Sequence, residues 1–259
     1  MRIFLVIDET NFYHPDYTAD LIRHYGHDFV GAALVTKIST KNSIEKYLMK
    51  NWFYLKPIEI LKLVAKKSSL ILSDWLYRKS FNGKFYSVKS ALKYFNIDFF
   101  EVENNINTPE YLQKIKAKMP DVIISSNSLF FGKELLEIPT LGCVNRHSGL
   151  LPSYGGLWPV FQAVRNNEPY VGITIHTMNN KIDKGAVLYQ IEIPILKNDT
   201  VDSLYKQCFE LSTIATIEAL NMLNKNIYNQ KQPSYNPSYF SFPTKEHWEM
   251  FRQTGKVFI

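Results

Sequence analysis

The chain has 259 residues, 46% of them apolar, and 30 Lys+Arg against 24 Asp+Glu for a formal charge of +6. That is the size of one large domain, or one domain with a small appendage, with enough apolar matter for a substantial core. Its two cysteines, Cys143 and Cys208, lie far apart without metal-ligand spacing, which argues against a disulfide framework or zinc site and for a reducing cytoplasm.

The first apolar run, RIFLVID, stops at Asp8, too soon for a signal-peptide core, and reads as a buried strand. A helix over Tyr17 to Tyr25 follows, closed by Gly26, then a strand in FVGAALVT. Lys41 to Asn96 reads as mostly helical, with Pro57 opening IEILKLVAKK and a further helix in SVKSALKYFNI. DFFEVEN is a third strand, and TPEYLQKIKAKM a helix with Thr108 as N-cap and Pro109 at N1. DVIISS, a short helix near KELLEI, and the strand GCVNRH come next, followed by two neighbouring strands, VGITIHTM and AVLYQIEIPI. A long helix then runs from about Thr200, with Asp199 as a candidate cap, to about Leu223. Leu204, Cys208, Leu211, Ile214 and Ala215 are its expected core face. The alternation predicts an α/β domain with a mostly parallel sheet covered on both faces. No run approaches the ~20 apolar residues of a membrane span.

The charge is unevenly spread. Twelve basic residues against three acids between Lys41 and Lys93 give that segment +9, which leaves −3 for the remainder. A general nucleic-acid reading of the basic character is therefore unwarranted. In NWFYLKPIEILKLVAKK and LILSDWLYRK, aromatic and aliphatic residues interleave with lysine, the composition of helices in a membrane interface. The competing reading of 41–93 is ordinary helices packed on the sheet with a solvated basic face.

Two stretches carry chemistry: CVNRHSGLLPSYGG from Cys143, and GITIHTMNNKIDKGAVLYQ from Gly172. Asn145 and His147 end a strand, where open α/β sheets bind ligands. The segment after the first strand, DETNFYHPDY, has no dinucleotide or P-loop glycines. By themselves Asn-x-His also reads as a loop pair capping backbone groups, and Asp183-Lys184-Gly185 as a tight turn.

N-x-H, L-L-P, Y-x-G, G-I-T-I-H and D-x-G before a strand, in this order between about Asp98 and Gln190, resemble the folate-dependent formyltransferase family. The resemblance implies a Rossmann-like mostly parallel sheet flanked by helices, with a small C-terminal extension. It also implies an enzyme that moves the formyl group of 10-formyltetrahydrofolate to an amine and requires no metal. It assigns Asn145 and His147 as donors to the oxyanion developing on the formyl oxygen, His147 or Asp183 as the relay for the proton leaving the nitrogen, and Asp183 as the group that tunes and orients His147. The pterin is expected on backbone groups of Ser128, Leu129 and Phe130 and of the turn at Lys181, Ile182 and Asp183. Arg146 and Lys184 flank the centre as expected contacts to a phosphorylated acceptor. His176 is read as a packed polar residue. Arg146, Ser148-Gly149 and Asn179 depart from the family pattern.

Within that family, glycinamide ribonucleotide formyltransferases carry a Gly/Ser-rich phosphate loop that DETNFYHPDY does not resemble. Methionyl-tRNA formyltransferases carry a further C-terminal barrel, whereas some sixty residues follow Leu196 here, much of them one helix. The expected acceptor is therefore a nucleotide-linked amino sugar, a small molecule and no nucleic acid. Tyr235, Tyr239, Phe240 and Phe242 are candidates either to stack on its base or to pack on the core. The expected organisation is a catalytic domain over 1–196, with a basic helical segment at 41–96, and a C-terminal helix and aromatic tail over 197–259. The alternatives are a methionyl-tRNA formyltransferase-like enzyme, a formyltetrahydrofolate hydrolase, or a non-catalytic membrane-surface protein. The assembly is left as a monomer or a homodimer.

Overall fold

The structure is a computed structural model, and it describes residues 1–37, 51–76, 83–228 and 235–259. The helical expectations over 41–50 and 77–82, and the tail positions 229–234, lie outside the described residues.

β1 (Ile3–Asp8) has five consecutive buried residues, as a strand covered on both faces must. It pairs in parallel with β2 (Phe29–Lys37) on one side and β4 (Val122–Ser126) on the other. β2 pairs in parallel with β3 (Phe99–Glu103), and β4 with β5 (Gly142–His147). β7 (Tyr170–Thr177) and β8 (Val187–Pro194) are antiparallel neighbours, so the seven-stranded sheet runs β3-β2-β1-β4-β5-β7-β8. A two-residue ladder joins β6 (Gly155–Gly156) to β9 (Tyr239–Phe240). The fold is the expected mostly parallel, helix-flanked α/β sheet.

The helices are α1 (His14–Tyr25), α2 (Pro57–Leu76), α3 (Val88–Tyr94), α4 (Pro109–Ala117), α5 (Lys133–Leu136), α6 (Pro159–Arg165), α7 (Val201–Asn224) and α8 (Lys245–Gln253). α1 begins three residues before the expected Tyr17, because Pro15 is pre-organised for the first turn. Thr108 holds the N-cap position of α4, but its side chain makes no capping bond. At α7 the cap is Thr200 and not Asp199: Thr200 accepts from the Ser203 N–H and the Ser203 hydroxyl accepts from the Thr200 N–H, a reciprocal box. The buried side of α7 is Leu204, Cys208, Ser212, Ala215 and Ala219, whereas Leu211 and Ile214 are exposed. Aliphatic spacing pointed one turn-edge away from the face that small residues allow to approach closely.

The described residues form two compact bodies. The first holds 1–37, 66–76, 83–145 and 177–181, and the second 51–65, 146–176, 182–228 and 235–259. Residues beyond 196 therefore pack in the same body as 146–176. The core of the first body interdigitates Phe4, Val6, Ala33, Val35, Val102, Ile115, Ile123 and Leu135. The core of the second is aromatic: Phe161 lies 4.7 Å from Trp248 and 4.9 Å from Phe251, centroid to centroid. Among the described residues no helix is long and apolar enough to cross a membrane.

Asp8 ends β1 with its Oδ1 shut off from solvent and without a hydrogen-bond partner. Desolvation pushes its carboxyl up to about 7, against weaker lowering by bonds from Ser128. The folded state therefore keeps a proton that the unfolded chain has lost, and stability falls as pH rises from about 4 to about 7. Asp8→Asn is expected to flatten that fall and to gain on the order of 2–4 kcal/mol at pH 8. Urea titrations of both proteins at pH 4.5 and 8 measure it, and parallel pH profiles would contradict it.

Candidate active site

The Asn-x-His pair sits at the carboxyl end of β5. Asn145 is paired in register with Ser125 of β4 and belongs to the first body; His147, two residues on, is the strand's last residue and belongs to the second. His147 is buried, and its Nε2 is 2.8 Å from the carbonyl oxygen of Tyr154. A carbonyl only accepts, so Nε2 carries the proton and donates. Nothing larger than glycine fits beside this bond: a Cβ on Gly149 would stand 2.9 Å from both His147 Nε2 and Tyr154 O. The departure Ser148-Gly149 therefore leaves room for the imidazole.

With Nε2 committed, Nδ1 is the nitrogen that faces the acid. Asp183 Oδ2 lies 3.9 Å from it, and Asp183 Oδ1 lies 3.8 Å from Nε2 of His176. All three side chains are 8% exposed or less. Oδ2 also accepts from the Gly156 N–H at 2.7 Å. Gly156 has φ +87°, and a Cβ there would lie 2.1 Å from the Phe240 carbonyl oxygen, so only glycine can present that N–H. Asp183 itself adopts the left-handed region at φ +54°, a conformation few non-glycine residues hold without support. The tight turn read from Asp-Lys-Gly is thus also the device that places a carboxylate between two imidazoles. His176, read from sequence as packing, contacts that carboxylate. Its position on alternating Thr174-Ile175-His176, where Thr174 is bonded to Gly149 O, was the available signal.

Tyr239 is the tail aromatic at this centre. It is 52% exposed; its ring would be 3.1 Å from a Cβ on Gly155, and Asp183 Cβ 3.5 Å from the same point. Burial and then the Asp183 charge raise its hydroxyl pKa. Phe240 stacks on Tyr154, Phe242 packs edge-on to Trp158, and Tyr235 bonds the Tyr170 backbone, so those three half-buried rings are engaged within their own body.

Arg146 is placed differently from the expected phosphate contact. It is buried, its guanidinium lies 3.6 Å over the Phe209 ring, and two nitrogens donate to Ser212 and Ser148 hydroxyls at 2.7 and 2.6 Å. Burial of an always-charged group demands such satisfaction, and it turns the side chain into the packing of α7. Lys184 is exposed next to Asp183.

Of the backbone groups expected for the pterin, those of Ser128, Leu129, Phe130 and Lys181 lie in the first body and those of Ile182 and Asp183 in the second. After β4, Asn127 accepts from the Leu129 N–H at 2.7 Å, while Asn107 donates to the Phe130 carbonyl at 2.9 Å and accepts from Gly132 at 2.6 Å. Leu129 N–H and Phe130 C=O therefore shape the loop itself. Asn179 makes the same two-residue turn onto the Lys181 N–H at 2.8 Å, which an acidic residue would also accept. Phe130 and, in the second body, Ile182 expose 54% and 57% of their surface.

The family model described as formyl transferase matches residues 82–220. The chain belongs to the formyl transferase family. The methionyl-tRNA formyltransferase of Wigglesworthia glossinidia brevipalpis is 33% identical over 147 residues, 56% of this chain and 46% of that protein. The chain spans about half the length of the curated relatives it matches. A sugar N-formyltransferase from Shewanella sp. FDAARGOS_354 superposes with TM-score 0.56 at 19% identity, covering 93% of this chain and 77% of that one. An N-formyltransferase from Helicobacter canadensis, solved with folinic acid and dTDP-3-aminofucose, gives 0.56 at 18% identity, covering 93% and 71%. At these identities the two superpositions establish that this formyl transferase family member shares their fold.

Proposed function

We propose that this chain is an N-formyltransferase that uses 10-formyltetrahydrofolate and an amino-sugar nucleotide. The observation that carries the reading is the buried carboxylate of Asp183 held between His147 and His176, where His147 ends the strand two residues after Asn145. When bound, the folate supplies the formyl group; Ser128, Leu129, Phe130, Lys181 and Ile182 would hold it. The protein's own part is charge and proton handling. The Asn145 side-chain amide donates to an oxygen on which negative charge develops. His147 Nδ1 takes the proton released by the attacking nitrogen, since Nε2 is fixed on Tyr154, and Asp183 stabilises the imidazolium so formed.

The sugar-nucleotide acceptor is favoured by an exposed aromatic beside Asp183 and by an exposed lysine next to it in the chain. Tyr239 offers a face to a base, and Lys184 a cation to a diphosphate. Tyr239→Ala and Lys184→Ala are expected to raise the acceptor KM ~10-fold, a loss of about 1.4 kcal/mol each, with the folate KM unchanged. A response in the folate KM alone would remove both residues from the acceptor side. The second reading, a methionyl-tRNA acceptor, is favoured by the identity to the curated relatives.

The deciding experiment mixes the protein with 10-formyltetrahydrofolate and, separately, a panel of amino-sugar nucleotides and initiator methionyl-tRNA. Formylation of a sugar nucleotide is expected. Formylation of the tRNA alone would establish the second reading, formate release without transfer a hydrolase, and silence with every acceptor would overturn the enzymatic reading.

A further inference from the structure

Helix α2 is built inside out. Its anchors are polar: Glu59 is its one fully buried residue and forms a two-point pair with Arg252 at 2.8 and 2.6 Å. Lys66 lies 4.9 Å from the Tyr13 ring centre, and Asp74 accepts the Ser90 hydroxyl at 2.8 Å. The opposite side is apolar and outward. Ile58, Leu61, Val64, Ile71, Leu72, Trp75 and Leu76 are each 49–63% exposed. At the helical repeat these residues join Ala65 and Ser68 in one uncharged stripe, with Lys62 and Lys67 beyond its two margins.

Seven such side chains leave on the order of 700–800 Å² uncovered, above the ~300–600 Å² of the largest patch on a typical monomer. It matches the ~800 Å² that each partner contributes to a standard specific interface. The inner row of the stripe is Ile58, Leu61, Ala65, Ser68, Leu72, Trp75, at intervals of 3, 4, 3, 4 and 3 residues. Both the intervals and the sizes, large-large-small-small-large-large, read the same from either end. We propose that α2 pairs antiparallel with α2 of a second copy of this chain. A two-fold contact requires a patch complementary to itself, and a seam that is symmetric under reversal satisfies this for antiparallel helices. With the axis between Lys66 and Lys67, Ile58 faces Trp75, Leu61 faces Leu72, and Ala65 faces Ser68, where the small pair lets the helices approach. A lipid surface has no use for reversal symmetry or for small residues at the stripe's centre, and α2 carries only three lysines against two acids, with Lys66 engaged on Tyr13.

Sedimentation equilibrium of the full chain is expected to give twice 30.2 kDa. Leu61→Glu and Leu72→Lys, each placing a charge against an apolar partner, should separately raise the dimer dissociation constant ~100-fold or more. Combined in one chain they should restore the dimer, because the introduced carboxylate then faces the introduced ammonium across the axis. Both positions are exposed in the monomer, so the melting of the dissociated variants should stay near that of monomeric wild type. A wild-type monomer at all concentrations overturns the proposal, including one that sediments with phosphatidylserine vesicles at low salt. So does a dimer indifferent to both substitutions, or a double variant that stays dissociated.

Discussion

His147→Ala is expected to lower formyl-transfer turnover by on the order of 10²–10³, with the fold retained. The alanine removes the side chain proposed as proton acceptor and leaves the Tyr154 carbonyl and Asp183 without the imidazole between them. Asp183→Asn is the more discriminating variant. An amide oxygen can still accept the Gly156 N–H, so the turn persists while the negative charge beside both imidazoles disappears. A loss of similar size there assigns the effect to charge and not to placement, and Asn145→Ala should fall in the same range. Steady-state rates with circular dichroism on each variant measure this. Near-normal turnover in all three would sink the assignment of this centre.

The largest expected stability effect lies far from that chemistry in sequence. Glu59→Ala should destabilise the protein by about 3–5 kcal/mol, the size of breaking one partner of a buried ion pair. Glu59 accepts from both terminal nitrogens of Arg252 and from the N–H groups of Lys56 and Phe258. Burial pushes its carboxyl up, but those four bonds outweigh burial and hold it below the ordinary glutamate value. The unfolded chain then protonates first on acidification, so the stability Glu59 contributes is present above about pH 4.5 and is lost as pH falls through the lowered value. This slope is opposite in sign to that of Asp8. A urea midpoint that moves by less than about 0.5 kcal/mol equivalent at unchanged m-value would show that the Arg252 charge finds another partner or reaches water.

The sequence by itself determined the alternation of strands and helices, because short apolar-rich runs bounded by polar and turn residues alternate with helix-period segments. It also determined the family, because five short motifs in fixed order are a far more specific signal than any one of them. Only the tertiary structure decided which His147 nitrogen is committed, because that depends on where the Tyr154 carbonyl arrives after the Leu-Leu-Pro segment. His176 is the packed polar residue expected and Arg146 is not the expected phosphate contact, but neither partner was legible: Asp183 in one case and Ser212 and Phe209 in the other come from elsewhere in the chain. α2 makes the point most strongly. Its interleaved lysines and leucines read equally as a packed helix or an interfacial one, and periodicity alone does not say which face is turned in. Polar contacts along the helix, Glu59 on Arg252, Lys66 on Tyr13 and Asp74 on Ser90, hold the polar side inward and leave the apolar side out.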